Sequence, residues 1–514
     1  MSLPMQFANH QSFWVASTLP SSYPALTQDL AVDVAIIGGG MAGMTAAMLL
    51  KQAGKTVAVL EADRVGAGVS GHTTAKITAL HQLKYAQLID QLGAERAGLY
   101  GASNQAAIAQ VANLVESEQI DCDFSYQAAY TFAESEATLP KVQAEAEAAI
   151  ALGLPAAYVE STPLPFAVLG AVKFSQQAQF HPRKYLLSLA SKVQGNGSFV
   201  FEQSRVQTVE GERPCQVKTA AGAVVTAQDV IVATHLPILD QGLFFAKTTP
   251  KRSYLIGARL DSEAAPAGMF IGTGEGYRSI RTTPTDDGGT LLLIGGEGHK
   301  VGAADDTEER FQRLADYARN RFGVTTVDFY WSSQDLVSFD GLPFVGRLTP
   351  LHHHTWVATG FSFWGMSNAT LSAMILRDLI LGRENAWADL YDATRPQPFV
   401  TAAALKNTVE VGTHWVGDRL KGLFDGADQV ECGAGHVITV KGDKVAAYRD
   451  EAGELHQVSA VCPHLGCIVA WNAAEKSWDC PCHGSRFDTA GKILHGPAVE
   501  GLASKDPAIA TPAD

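Results

Sequence analysis

The sequence has no run of Lys and Arg to offset its formal net charge of -14. That acidic balance argues against a nucleic-acid partner. Its first stretch, MSLPMQFANHQSFWVASTLP, has no basic flank ahead of an apolar core and reads as a poor secretory signal. It also lacks a long unbroken apolar run. The longest, from Val34 to Leu50, is interrupted by Gly38, Gly39, Gly40 and Gly43, which argues against a membrane span. No internal repeat is evident. The expectation is a cytoplasmic protein whose seven cysteines are mostly reduced unless a site protects them.

At 514 residues the chain is too long for one ordinary core, and two to four domains are expected. Hydrophobic residues at 46% and charged residues at 18% fit a soluble globular protein. Residues 32–37 are rich in Val and Ile with little alternation, the pattern of a buried parallel strand. A Gly-rich turn follows, then helix-like Met41–Ala53, which Gly54 can cap, then a second strand over Lys55–Glu61. Thr307–Phe322 places Phe311, Leu314, Tyr317, Ala318 and Phe322 at helical spacing and predicts a helix with one buried face. Strand-like runs such as Asp229–Ala233 and Leu291–Ile294 are scattered between. Residues 1–397 read as one mixed α/β unit and 398–427 as a connecting arm. The turn glycines from Gly442 to Gly496 predict a small all-β domain over 428–514.

Gly38-Gly-Gly40-Met41-Ala42-Gly43 matches G-x-G-x-x-G after a strand and at the start of a helix, with Glu61 closing the next strand. Gly38 permits the tight turn, Gly40 lets the backbone approach a diphosphate, and Gly43 lets helix and strand pack closely. The helix N-terminus offers N–H groups to the phosphates, and Glu61 can accept hydrogen bonds from a ribose. This pattern alone leaves NAD and FAD open.

The stretch Glu61-Ala62-Asp-Arg-Val-Gly66-Ala-Gly68-Val-Ser70-Gly71-His72-Thr73-Thr74 resembles the flavin-side loop of the D-amino-acid oxidase and glycine oxidase superfamily. So do Asp229–Thr234–His235, Asp340-Gly341-Leu-Pro343-Phe-Val-Gly346 and Val357-Ala-Thr-Gly360-Phe361-Ser-Phe-Trp-Gly365-Met366. The resemblance spans roughly residues 30–385. It implies bound FAD in a Rossmann-like domain, with a sheet-based substrate domain inserted, and a backbone contact to adenine at Val206. The helix after Gly365, read as Ala369–Leu381, can turn its positive end toward the flavin. Gly68–His72 is similar to the segment of dimethylglycine dehydrogenase relatives whose histidine binds FAD covalently. A noncovalent pocket histidine is the alternative reading of His72.

Near the C-terminal end stand Cys462-Pro-His464-Leu-Gly-Cys467 and Cys480-Pro-Cys482-His483-Gly-Ser485. Two thiolates and two imidazoles suit zinc. A second cysteine in each half, Cys467 and Cys482, weighs against a zinc site closed by four ligands. The pattern, with Gly496-Pro497-Ala498 after it, resembles the Rieske [2Fe–2S] domain over about residues 428–505. That resemblance implies Cys462 and Cys480 on one iron, His464 and His483 on the other, and a Cys467–Cys482 disulfide joining the loops. Neutral histidines in place of two thiolates ease reduction, to roughly -150 to +300 mV. Ser485 stands where the family's serine donates a hydrogen bond to a cluster sulfur. Phe487 stands where high-potential relatives often carry tyrosine, which predicts a lower potential here.

His352-His353-His354 reads as a solvated turn. Cys122, Cys215 and Cys432 read as ordinary thiols. Lys247, Arg252, Tyr254, Tyr277, Arg278 and Arg281 are candidates for a cationic substrate pocket, with a water-facing strand as the alternative. Trp364 could wall the pocket or simply pack. Together the motifs predict an FAD-dependent dehydrogenase oxidising an amine or amino-acid-like small molecule. Its electrons pass singly from FAD through the cluster to an external acceptor protein or quinone-like carrier. Alternatives are the reverse flow, from a donor partner to FAD and substrate, and a cluster serving as redox sensor or docking module. No catalytic side chain is assigned, because a neutral amine can give up hydride directly.

Overall fold

The Val- and Ile-rich segment Leu30–Ile37 forms a central strand of an eight-stranded sheet, as its near-continuous apolar run predicts. The computed structural model describes residues 5–400 and 430–505. Parallel neighbours of that strand are Val57–Leu60 on one side and Val224–Val232 on the other. Phe199–Phe201 and Thr355–Thr359 extend the sheet in parallel. Phe344–Arg347 adds an antiparallel edge, and Val206–Glu210 with Cys215–Thr219 forms an antiparallel pair beside Val224–Val232. Helices Met41–Gln52 and Gly365–Ile380 pack on one another over this sheet. Met41 through Leu50 are all buried, which explains a helix with almost no polar face.

The late helix starts at Gly365, four residues before the expected Ala369. Burial of Met366 through Leu376 outweighs the poor helix propensity of its first residue. The helix expected at Thr307–Phe322 has those bounds and buries Phe311, Leu314, Ala315 and Ala318. Glu308 and Glu309 stand in its first turn and Arg319 and Arg321 in its last, matching the helix dipole.

A ten-stranded sheet forms the second layer. Its long strands are Ser125–Ala133, Gly170–Gln179, Thr248–Leu260, Thr290–Lys300 and Thr326–Ser338. Its strands interleave in the chain with those of the first sheet, so the inserted sheet-based unit expected from the sequence is present.

Residues 430–505 carry only β structure: a three-stranded sheet (Gly435–Val440, Asp443–Arg449, Leu455–Ser459) and a four-stranded one (Ala470–Asn472, Ser477–Asp479, Arg486–Phe487, Ile493–His495). The arm read at 398–427 lies, from residue 401 on, outside the described residues. No helix among the described residues is long and apolar enough to cross a membrane.

The all-β unit is seated on the ten-stranded sheet. Arg252 Nη2 meets Asp479 Oδ2 at 3.1 Å with both side chains essentially inaccessible. Gln334 Nε2 donates to the Gly484 carbonyl at 2.8 Å, and Gly302 leaves no room for a Cβ beside Pro481.

Candidate functional site

The turn after Leu30–Ile37 opens into a cavity of about 330 Å³. Gly38 adopts φ +110°, and a Cβ there would lie 2.5 Å from the Ala233 carbonyl oxygen. A Cβ on Gly43 would lie 2.0 Å from the Gly38 oxygen, so glycine is required for helix and strand to meet. Ser70 Oγ accepts from the Met41 N–H at 3.0 Å. Glu61 accepts from Gly39 N at 2.7 Å and Asp63 N at 2.9 Å. Burial pushes its carboxyl up, against the pull of those N–H groups.

Of the residues expected to hold a dinucleotide, Gly38, Gly40, Met41, Ala42, Glu61, Ala62, Ser70, His72, Thr73, Thr74, Val206, Thr234, Phe361, Gly365 and Met366 line this one cavity. Three do not. Gly43 serves the packing just described. Gly341 (φ +76°) lies against Lys84, and Gly360 (φ +75°) against Phe344. His72 Nδ1 is 2.9 Å from the Gly68 carbonyl, and burial holds the ring below the usual histidine range. Trp364 lines the cavity and also stacks on the buried His81 at 4.5 Å, so it both walls and packs.

The cationic pocket expected in the substrate domain does not form. Arg252 is consumed by Ser332, Gln334 and Asp479, Arg278 by Glu297, and Arg281 by the carbonyls of Thr74, Ala75 and Thr282. Lys247 donates to the Ala393 carbonyl and lies over Phe244. Of the six candidates only Tyr277 lines the cavity. Two other cations line it: Arg205, and Lys76, which donates to Phe270 O at 2.5 Å and Ser279 Oγ at 2.7 Å. Burial, then Arg281, holds the Lys76 amine well below the ordinary lysine range. His235, Asp335 and His495 also line the cavity and were not singled out as site residues in the sequence. The adjacency of His495 to Gly496-Pro497 was the available signal.

In the all-β unit, Cys467 and Cys482 form a disulfide. Cys462 and Cys480 are buried free thiols that hydrogen-bond one another. That bond, with the His464 N–H and Ser485, draws Cys462 down to about 7, while Cys480 is driven up as the partner that keeps the proton. The rings of His464 and His483 are perpendicular with centroids 5.0 Å apart. Both Nδ1 atoms are buried without a hydrogen-bond partner, as ligand atoms awaiting a metal would be. Two thiols and two orphaned imidazole nitrogens at one locus fit an iron–sulfur cluster. The glycine cradle and the cavity likewise fit a dinucleotide.

The histidine face of these loops is covered by the larger unit. His464 Nε2 is 3.0 Å from Asp240 Oδ1, and Phe245 packs edge-on against both rings. Ser485 Oγ accepts from the Ala498 N–H at 3.1 Å, and Phe487 is fully buried. Elsewhere, burial pushes the Cys122 thiol up to about 12 and Cys215 up to about 11, as expected of inert thiols. In the His352–His354 turn, His354 Nδ1 is 3.0 Å from Asp229 and His352 Nδ1 is 2.7 Å from Thr349 Oγ1.

Residues 33–379 match the family model of the FAD dependent oxidoreductases (DAO), and residues 423–506 match that of the Rieske [2Fe-2S] domain. YhfW of Bacillus subtilis (strain 168), named as a Rieske 2Fe-2S iron-sulfur protein, is 34% identical over 502 residues, 96% of this chain and 97% of that one. Gamma-glutamylputrescine oxidoreductase of Escherichia coli (strain K12) is 25% identical over 74% of this chain and 92% of its own. The fold is shared with glycine oxidase from Geobacillus kaustophilus, at TM-score 0.60 and 19% identity over 71% of this chain and 99% of that one. The family binds FAD, and the Rieske domain binds a [2Fe–2S] cluster. The chain therefore belongs to the FAD dependent oxidoreductases and carries a Rieske [2Fe–2S] domain at its C-terminal end.

Proposed function

We propose that this oxidoreductase is a dehydrogenase that oxidises an amine or amino-acid-like substrate and releases the electrons singly to a separate acceptor. The observation that carries the reading is the shared cavity. Leu494, His495, Gly496, Ala498 and Val499 of the Rieske domain line the same space as the Gly-rich loop. When bound, FAD supplies hydride acceptance and the cluster supplies one-electron transfer.

In this reading the backbone of Gly38, Gly40, Met41 and Ala42 receives the diphosphate, Glu61 and Ala62 the ribose, and Val206 the adenine. Ser70, His72, Thr73, Thr74, Thr234, Phe361, Gly365 and Met366 surround the flavin end, while Gly43, Gly341 and Gly360 shape the backbone around it. Cys462, Cys480, His464 and His483 are the iron ligands. Ser253, Leu255, Ile271 and Ser279 from the ten-stranded sheet, with Tyr277 from the loop between two of its strands, face the cavity and orient the substrate. The buried Lys76 is held by two acceptors, the Phe270 carbonyl and the Ser279 hydroxyl. No side chain is assigned as a base. The chain's part is to orient the donor and exclude water.

The test is an anaerobic screen of amines and amino acids by stopped-flow absorbance. Substrate should bleach the flavin bands first and the cluster bands second. A substrate that bleaches flavin and never reduces the cluster defeats the reading, and so does turnover that runs only from a reduced partner to the flavin.

A further inference from the structure

The segment Leu494–Val499 has two neighbours at once. On one side it lines the FAD cavity. On the other, Ile493 and His495 pair in antiparallel register with Phe487 and Arg486, the strand that directly follows the second ligand loop. The Ala498 N–H is held by Ser485 Oγ, and the Ser485 carbonyl accepts from the Cys480 N–H at 2.8 Å. A few residues therefore join the cavity wall to the cluster loops by direct hydrogen bonds.

The larger unit meets this wall at His235. His235 Nδ1 and His495 Nε2 are 2.8 Å apart, with ring centroids at 4.9 Å. His235 is set in a left-handed conformation (φ +67°), and its carbonyl accepts from the Thr359 hydroxyl. Its other ring nitrogen is 3.4 Å from Asp335 Oδ1. Asp335 accepts from the N–H groups of Leu336 and Phe363, at 2.7 and 2.6 Å. Phe363 belongs to the loop that leads into helix Gly365–Ile380. Two large apolar side chains stand uncovered in this cavity: Leu494 from the Rieske domain is 51% exposed, and Phe363 from the facing loop is 39% exposed. Apolar surface left open on both sides of a lined cavity is what a bound ring system would cover.

We propose that His495, delivered by the Rieske domain and held by His235 and Asp335, is a positioning residue of the FAD site, so that cluster loading and FAD binding strengthen one another. The cluster orders the two ligand loops, Ser485 and the strand beside them. That order fixes Leu494–Val499 as a wall. A fixed wall spares FAD the cost of ordering it, and linkage makes the benefit reciprocal in binding free energy. This rests on the two cofactors and on no assumption about the substrate.

The test is equilibrium binding of FAD, read by flavin fluorescence, to full-length flavin-free chain with and without its cluster. The cluster-loaded chain should bind FAD about 5- to 150-fold more tightly. His495→Leu in the cluster-loaded chain should remove most of that advantage, and His495→Gln, which keeps one N–H, should restore part of it. His235→Leu breaks the same contact from the other side and should weaken FAD to the same extent while the cluster's electron paramagnetic resonance signal is unchanged. Equal FAD affinity with and without cluster overturns the proposal. So does wild-type affinity in His235→Leu with an intact cluster signal. Neither result bears on whether amines reduce the flavin, so the two readings fail separately.

Discussion

The FAD cavity and the cluster loops are built in opposite ways. The four proposed iron ligands and the disulfide lie between Cys462 and His483, on two adjacent loops of one small domain. The FAD cavity draws on residues from Ile37 to Val499, on both large layers and on the Rieske domain itself. The cluster site is local, prepaired and closed. The FAD site is assembled and keeps apolar surface open. On the proposed coupling, the assembled site borrows order from the local one.

That contrast can be broken at several points. Cys480→Ser should abolish the cluster's visible absorbance and paramagnetic signal; retention of both would remove Cys480 from the ligand set. Gly43→Ala forces a methyl to within 2.0 Å of the Gly38 oxygen. It should cost about 1–3 kcal/mol of stability and weaken FAD binding while the cluster signal persists. Loss of the cluster with FAD retained would reverse the assignment of the two sites.

Arg252→Met removes one of the two guanidinium partners of the buried Asp479, leaving Arg486, and should cost about 1–3 kcal/mol, read as a fall in melting temperature. The same network has an acid limb. Burial alone would push the Glu475 carboxyl up, but His10, Arg486 and Arg252 outweigh it and hold it well below the ordinary carboxylate range. A depressed carboxyl stabilises the fold above its unfolded value of about 4.3, and that stability is lost as pH falls through the folded value. Glu475→Gln should therefore flatten the loss of stability below about pH 4. An unchanged acid limb would place the charge elsewhere.

Phe487→Tyr should raise the cluster potential by adding a donor near the sulfurs, measured by protein-film voltammetry. An unchanged or lower value contradicts the argument. The smallest expected effect concerns His72. Burial holds its ring below the usual histidine range, and its Nδ1 is tied to the Gly68 carbonyl. Acid precipitation should release all the flavin, and yellow colour retained in the pellet would make the link covalent.

Much of this architecture is legible in the chain. The strand–glycine–helix unit around Gly38–Gly43 and the helix Thr307–Phe322 follow from periodicity, because each is settled by neighbours within a few residues. The disulfide partners are implied by the Rieske resemblance and are joined in the structure. The arginines of the substrate domain were not legible as they are. Arg252, Arg278 and Arg281 look alike in sequence. Their partners, Asp479, Glu297 and the Thr74–Ala75 carbonyls, lie between 19 and 227 positions away. A long cation reads as a ligand binder until the acceptor that consumes it is placed.

The residues themselves pointed to a dinucleotide and a metal, because a glycine that must approach a phosphate and a thiolate that must hold a metal are requirements of local chemistry; the family resemblance narrowed these to FAD and a [2Fe–2S] cluster. Tertiary structure decided what stands between them. His235 and His495 are 260 positions apart, and nothing in their separate segments pairs one with the other. They meet at 2.8 Å only because Arg252, Gln334 and Phe245 seat the Rieske domain on the sheet that walls the FAD cavity. The reason is physical. Spacing along a chain encodes which side chains share one turn or one strand face, whereas a contact between domains depends on the packing of every layer that separates them.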